Sequence, residues 1–532
     1  MKKKIKIIDL FAGPGGLGEG FSALTINGKK PFKTAISIEK EESAHRTLTL
    51  RSFFRQFPKG VPEEYYSFLR GELGKTPEEE LYQIAKFKNQ VAQAKKEAQK
   101  LTLGEHNAEI YKKIRDVVSP KDDCILIGGP PCQAYSLAGQ ARNKGNSSYN
   151  ASDDHRNYLY KEYLKILARF QPNIFVMENV KGMLSAKIDG NPIFESIRED
   201  LCHPCKAVNT KPEEGRKNNR YKIYSLVQPD TSDDLFGLKR DAREYIIYSE
   251  NYAIPQKRHR VIILGIREDL ATNVESINTL PLSAQKITTQ EVIGDLPKLR
   301  SGLSKIENNN KNWLSTLNKI PLTLKKELEE LNLNDVYEQI KDTSVNVTVP
   351  KDVQGSLHGL KKKKTLTIKK SPELAAWLND QRMGNHVVNH ETRGHLESDL
   401  QRYLFSSCWA KVAREKNWNI KFPKSKEYPS SLKPKHKNFD SGKFSDRFRV
   451  QLADEPATTI TSHISKDGHY FIHYDPLQCR SLTVREAARI QTFPDNYFFV
   501  GNRTQQYVQV GNAVPPWLAK QIAGIVAELL RK

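Results

Sequence analysis

One cysteine stands where packing alone does not ask for it. Cys132 closes the run Gly128-Gly129-Pro130-Pro131-Cys132-Gln133, directly after the apolar stretch DCILI at 123–127. A residue at the carboxyl end of a parallel strand lies where open sheets bind ligands. The two prolines stiffen the approach, and a turn or helix start after the thiol lowers its pKa towards the reactive thiolate. The chemistry on offer is nucleophilic attack. Cys124, inside the apolar stretch, has the setting of a small buried hydrophobe instead.

A second group of residues is suited to holding a ligand. The stretch IKIIDL at 5–10 runs into FAGPGGLGEG, where Gly13, Gly15 and Gly16 allow a tight turn and let a ligand approach the backbone. Glu39 ends the next apolar stretch, TAISIE at 34–39, some 30 residues after Asp9. In doubly wound folds an acid there accepts hydrogen bonds from ribose hydroxyls, so turn and acid together imply an adenosine-type cofactor. Phe11 departs from the dinucleotide fingerprint and stands where a ring could stack on adenine.

The elements that must position these groups alternate along the chain. Strands are expected at 5–10, 34–39, 123–127 and 174–178, with further candidates at 221–228, 245–249 and 260–266. A helix is expected over 153–170, with Leu159, Tyr163, Ile166, Leu167 and Phe170 on one face. Such alternation points to a mostly parallel sheet covered on both faces. The charged, Ala-rich stretch 51–108 reads as an inserted, exposed helical segment. After about residue 290 the alternation loosens into a Lys-, Asn- and Ser-rich region with helical pieces at 371–382 and 396–413, which reads as a second domain.

Bulk properties agree with this reading. The chain has 532 residues, a formal net charge of +22 and 38% hydrophobic residues, enough for a sizeable core and basic enough to suit a polyanionic partner. Six cysteines in that length imply no disulfide framework and fit a reducing cytoplasm. The start, MKKKIKIIDLFAG, is too short in apolar residues for a signal peptide, and no segment reaches the roughly 18 apolar residues of a membrane span. A soluble intracellular protein without membrane attachment is expected.

Taken together, DLFAGPGGLGEGF, GGPPCQAYS, MENV, Gln256-Lys257-Arg258-His259-Arg260, SLTVREAARIQTFPD and QVGNAVPP resemble the DNA cytosine-5 methyltransferases. The resemblance covers roughly residues 5–45, 120–295 and 450–530. It implies an α/β fold: a Rossmann-like S-adenosylmethionine-dependent methyltransferase sheet with a second, smaller target-recognition domain. The catalytic domain would span 1–289, with 51–108 as its helical insertion, and be completed by 505–532. The recognition domain would span 290–504. The implied reaction moves a methyl group from S-adenosyl-L-methionine to carbon 5 of cytosine within a specific double-stranded DNA sequence. Cys132 would add covalently to carbon 6, Glu178 would serve as the acid at N3, and Arg260 would donate to O2, supported by Arg258 and Gln256.

The same resemblance implies a cofactor pocket of Phe11, Pro14, Gly16, Glu39, Pro131, Leu159, Asn512 and Val514. An acid that meets the adenine amino group is blurred by the insertion, with Glu109 and Asp116 both open. The base must leave the duplex, so the loop from Ala134 to about Ser152 would act as a lid, with Ser136 and Arg142 on the flanking phosphates. In the recognition region, Arg393, Arg402, Arg447 and Arg449 could read guanine edges or serve the structure. The His386, His390, His395 group lacks a Cys or carboxylate cluster with zinc spacing, and Cys202-His203-Pro204-Cys205 is a lone CxxC without a second ligand pair, so no metal is expected. The setting implied is bacterial or phage restriction–modification or defence, with a monomer in the bacterial cytoplasm or nucleoid and a cognate restriction endonuclease or defence protein as possible partner. The alternatives are a tRNA cytosine-5 methyltransferase and an inactive DNA-binding regulator.

Overall fold

The computed structural model describes residues 4–74, 77–131, 155–188, 191–229, 241–271, 277–351, 353–362, 364–434 and 447–531. Among these, eight strands form one sheet: β1 (Ile5–Leu10), β2 (Phe32–Glu39), β3 (Ala98–Lys100), β4 (Cys124–Gly128), β5 (Ile174–Val180), β6 (Tyr221–Tyr224), β7 (Ile246–Tyr248) and β8 (His259–Arg267). Their order is β3-β2-β1-β4-β5-β8-β6, with β7 also beside β8. Strands β1 to β5 are parallel, and β8 runs antiparallel to β5, β6 and β7. This is a Rossmann-like sheet, mostly parallel and closed on one side by antiparallel strands.

Central strands read as unbroken apolar runs because both faces are covered. Every residue of β4 is buried. Alternate residues go to opposite cores: Ile8, Leu10 and Leu126 to one, Ile7, Ile125 and Ile127 to the other. The first core receives helix His155–Phe170, whose Tyr163, Ile166, Leu167 and Phe170 are fully buried. The second receives the carboxyl-terminal helix Pro516–Leu529 through Leu518, Ile522 and Val526.

Two compact units result. One comprises Met1–Pro62, Glu78–Gln285 and Ala513–Lys532; the other comprises Glu63–Pro77 and Lys286–Asn512. In the second, helices Asn310–Asn318, Ile320–Glu330 and Asn334–Asn346 join the long helix Glu397–Glu415 around Trp313, Leu324, Ile340, Leu404 and Trp409. Among the described residues, no helix is long and apolar enough to cross a membrane.

The stretch 51–108 departs from the expectation of one exposed insertion. Its first residues finish the helix Glu42–Arg55. Helix Glu63–Arg70 belongs to the second unit, where Tyr65, Tyr66, Phe68 and Leu69 are buried and Tyr65 Oη donates to the Asn496 carbonyl at 3.0 Å. Ala98–Lys100 then forms β3 on the edge of β2, although Ala-Gln-Lys has little strand preference, because the ladder to Ser37–Glu39 decides its conformation. The carboxyl-terminal return also begins later than residue 505. Helix Arg503–Asn512 lies in the second unit, and only Ala513 onward completes the first.

Candidate active site

The chain leaves β1 and β4 side by side, with Leu10 opposite Gly128, and their connections depart in opposite directions, to β2 and to β5. That reversal opens a crevice at the carboxyl ends of the two strands. After β1, Phe11 takes a left-handed backbone (φ +54°), a conformation that costs a bulky residue free energy and persists only where the surroundings impose it. Here the Ala12 N–H donates to the Ile38 carbonyl (3.1 Å) and the Gly15 N–H to the Ala12 carbonyl (2.9 Å), which bends the chain across the end of β2.

Glu39 ends β2 and closes on this turn. Its carboxylate accepts from the Gly13 N–H at 2.8 Å and from the Glu41 N–H at 2.7 Å. Burial raises its pKa, against the pull of those main-chain donors. Pro14 and Gly16 are buried, and Gly16 begins helix Gly16–Ala23. A Cβ on Gly16 would lie 2.3 Å from the Val514 carbonyl oxygen, so the return strap passes against that turn only because position 16 has no side chain. A Cβ on Gly13, by contrast, would meet nothing within 4 Å among the described residues, which leave the outer side of the turn open. Beneath it, Asp9 is 1% exposed and neither carboxyl oxygen has a hydrogen-bond partner. Burial pushes its pKa up to about 8, with Arg55 opposing and Glu39 and Glu97 adding.

The second half of the crevice is built by β4, β5 and β8. Gly129 follows β4, and a Cβ there would come within 2.9 Å of Glu178 Oε2, so the glycine lets the carboxylate stand over the Gly-Pro-Pro segment. Asn179 Nδ2 donates to the Pro130 carbonyl at 3.3 Å, which ties that segment to β5. Arg260, paired across the ladder near the end of β5, places Nε 3.0 Å from Glu178 Oε1, and both side chains keep a little exposure (18% and 13%). Arg258 is fully buried. Burial pushes its pKa down to about 9, the Arg260 charge adds to the fall, and Glu178 opposes it. The Gln256 residue is fully buried, and its main-chain carbonyl accepts from Ser249 Oγ at 2.8 Å.

The structure thus gathers Phe11, Pro14, Gly16, Glu39 and Val514 around one turn, and Glu178, Arg258 and Arg260 around another. Pro131 is half-buried, and Leu159 is buried on helix His155–Phe170. Asn512 is exposed at the end of a helix of the second unit. Cys132, Ser136, Arg142 and the loop 134–152 lie outside the described residues. Glu109 sits exposed in the first turn of helix Asn107–Val117, where it pairs with Lys113, whereas Asp116 lies at the opposite end. Residues overlooked in the sequence are Gly129, whose role is a steric allowance, and Ser249, which lies seven residues before Gln256 with no motif of its own.

In the second unit, Arg393 donates to the Ile464 and Lys466 carbonyls and Arg402 to the Leu432 carbonyl and to Asp399. Those two guanidiniums serve the fold rather than a groove. Arg447 pairs with Asp467 at 3.2 Å, and Arg449 lies over the Phe422 ring. His390 spends its ring nitrogens on Thr483 Oγ1 and the Pro297 carbonyl, and His395 reaches Ser481 Oγ.

Comparison with known proteins matches residues 84–202 and 242–528 to the family described as C-5 cytosine-specific DNA methylase. A type II methyltransferase of Bacillus paralicheniformis is 32% identical over 98% of this chain and 99% of its own length. A type II methyltransferase of Thalassovita gelatinovora is 25% identical over 98% of each chain. Among solved structures, a prophage-encoded E. coli protein superimposes with a TM-score of 0.50 at 18% identity, covering 99% of this chain and 100% of its own, a likeness of fold.

Proposed function

Because this chain belongs to the C-5 cytosine-specific DNA methylases, we propose that it methylates carbon 5 of a flipped-out cytosine in duplex DNA through a covalent bond from Cys132. The observation that carries this reading is the Glu178 carboxylate. It is held 3.0 Å from Arg260 and directly over Gly129, three residues ahead of Cys132 in the chain.

Carbon 5 of cytosine is a weak nucleophile, and covalent catalysis divides one hard step into easier ones. The Cys132 thiolate adds to carbon 6. Glu178 supplies the hydrogen bond or proton at N3 that the ring needs as charge builds, and Arg260 donates to O2. Arg258, buried behind them, adds positive potential that favours that charge. Carbon 5 then takes the methyl group; loss of its proton and departure of the Cys132 thiolate give 5-methylcytosine and the free enzyme. A base takes this proton.

The methyl donor that fits the crevice is S-adenosyl-L-methionine, which when bound supplies an electrophilic methyl on a sulfonium. The fit rests on the open outer side of Gly13, on the half-buried Glu39 carboxylate at the position that takes ribose hydroxyls, and on the Val514 strap against Gly16. Phe11, Pro14, Pro131 and Leu159 complete the pocket in this reading. Glu109 is preferred to Asp116 near the adenine, since it lies at the helix end that follows the carboxyl end of β3.

The substrate in this reading is a specific double-stranded sequence, with the second unit as recognition domain and Ser136 and Arg142 on the phosphates beside the flipped base. The net charge of +22 suits such a polyanion. The relatives named as type II methyltransferases support a restriction–modification role, with the protein acting as a monomer beside a cognate endonuclease.

The test is incubation with tritiated S-adenosylmethionine and either duplex DNA or total tRNA, together with trapping on a duplex carrying 5-fluorocytosine. Label in DNA and a covalent complex are expected, and bisulfite sequencing of an expressing host then gives the site. Label in tRNA alone, or no trapped complex, overturns the reading.

A further inference from the structure

The strand that carries Arg260, with Arg258 just ahead of it, begins where a sheet ladder is least constrained. Arg260 is the second residue of β8, and His259 is the first. A strand end frays unless something outside the ladder holds it. Here the support comes from three residues just upstream, Tyr248, Ser249 and Glu250.

Ser249 is 1% exposed and bonds to the main chain on both sides of Lys257. The Arg258 N–H donates to its Oγ at 3.0 Å, its Oγ–H donates to the Gln256 carbonyl at 2.8 Å, and its own N–H reaches the Arg258 carbonyl at 3.4 Å. Glu250 is 7% exposed, and its Oε1 accepts from His259 Nε2 at 3.0 Å. Tyr248, opposite His259 in the β7–β8 ladder, sets its ring edge-on to the imidazole with centroids 4.5 Å apart. The turn that returns the chain passes through Ala253 in the left-handed region (φ +57°), closed by the Ile254 N–H on the Ser249 carbonyl.

Neighbouring residues of a strand point to opposite faces, so His259 and Arg260 cannot both serve the Glu178 side. Arg260 takes it. His259 is held on the other face by Glu250, and any rotation of the strand end that moved Arg260 away from Glu178 would have to break that bond. We propose that Ser249, Glu250 and His259 form a positioning brace that fixes the main chain between the two guanidiniums and so holds Arg260 in register with Glu178. The inference rests on the function proposed above for those two groups; none of the three brace residues touches the substrate in it.

The experiment compares His259→Ala, His259→Gln, Glu250→Ala, the double alanine variant and Ser249→Ala in the full chain. Methylation kinetics and hydrogen exchange of residues 256–262 are measured on each. A misplacement near 1 Å costs about 100-fold. His259→Ala is therefore expected to lower kcat about 10- to 100-fold, with KM for DNA within about threefold. His259→Gln, which keeps a donor for Glu250, restores kcat to within about fivefold of the parent. Glu250→Ala matches His259→Ala, and the double variant is no worse than either, as for two members of one contact. Ser249→Ala, nearly isosteric, falls in the same direction and keeps the test available should His259→Ala fold poorly.

Unchanged kcat in both alanine variants overturns the brace, as does a glutamine variant no better than alanine. A raised KM for DNA with a shallower salt dependence and normal kcat also overturns it, since His259 would then be a phosphate contact. If the parent neither methylates nor traps DNA, the proposed function falls and hydrogen exchange decides alone. Faster exchange over 256–262 in His259→Ala but not in His259→Gln supports the brace, and unchanged exchange ends it.

Discussion

Buried charge is treated in opposite ways around the crevice of the first unit and in the ion network of the second. Around the crevice of the first, burial moves groups towards their neutral forms: Asp9 up to about 8, Glu39 upward, Arg258 down to about 9. In the second, burial opposes the charges but their partners win. Arg489 reaches Asp495 at 2.7 Å and Asp295 at 2.5 Å, and Arg489 and Lys362 hold Asp495 at about 2. Arg480 grips Glu486 with two nitrogens, each at 2.7 Å, and its charge holds that carboxyl far below the usual range despite burial. A closed ion network specifies a packing arrangement and has nothing left to offer a ligand. Groups for which burial outweighs the partners present keep interaction free energy for a charge that arrives later.

The largest expected effect lies on the first side of that contrast. Cys132→Ser should keep cofactor and DNA binding and lose turnover by several orders of magnitude, seen in single-turnover methylation; a normal rate would remove the covalent mechanism. Glu178→Gln should cost about 10²- to 10⁴-fold in kcat, less than the serine variant, with little change in melting temperature. A stability loss in place of the rate loss would mean that the pair with Arg260 is structural like those of the second unit.

On the other side, Arg489→Ala leaves the buried Asp295 and Asp495 with Lys362 as the cation they still share. It should cost about 3–5 kcal/mol in denaturant unfolding of the second unit. Cofactor binding by the first unit, followed calorimetrically, should persist; equal loss of both would blur the contrast.

Acid should also find the second unit first. Burial pushes His390 and His473 down from 6.5 to about 4. The native state therefore binds fewer protons there than the unfolded chain. The stability associated with these neutral rings is present above pH 6.5 and is lost as the pH falls from there to about 4. Limited proteolysis between pH 7 and 5 should open the second unit before the first.

The smallest effect concerns Asp9. Its folded pKa is raised from 3.8 to about 8, so the native state holds a proton that the unfolded state has lost, and stability declines as the pH rises towards 8. Asp9→Asn should flatten that decline by a few degrees in a melting series from pH 5.5 to 8.5. An unchanged slope would show that Asp9 is ionised in the folded protein.

Legibility differed by element. Strands β1, β2, β4, β5 and β8 were readable because strands buried on both faces are continuous apolar runs, and the helix 155–170 because its apolar residues recur at helical spacing. Strand β3 was not, since Ala-Gln-Lys becomes a strand only when β2 offers its edge. Helix Glu63–Arg70 looked like part of an exposed segment, because its aromatic residues find their partners hundreds of positions away, at Asp380 and Asn496. Arg393 and Arg402 could be named as groove readers or as structural residues from sequence, and only their carbonyl partners separate the two.

The order of motifs from Gly-rich turn to Pro-Pro-Cys, Glu-Asn-Val and the arginine pair was determined by the sequence alone, because chemistry requires particular atoms and those are written in residue types. Tertiary structure decided what those atoms face. Glu178 meets Arg260 because β8 runs antiparallel to β5 in one register, Val514 meets Gly16 across nearly the whole chain, and Ser249 reaches Arg258 around a left-handed turn. These are through-space contacts whose energies depend on distance and burial, and neither quantity exists until the chain has folded.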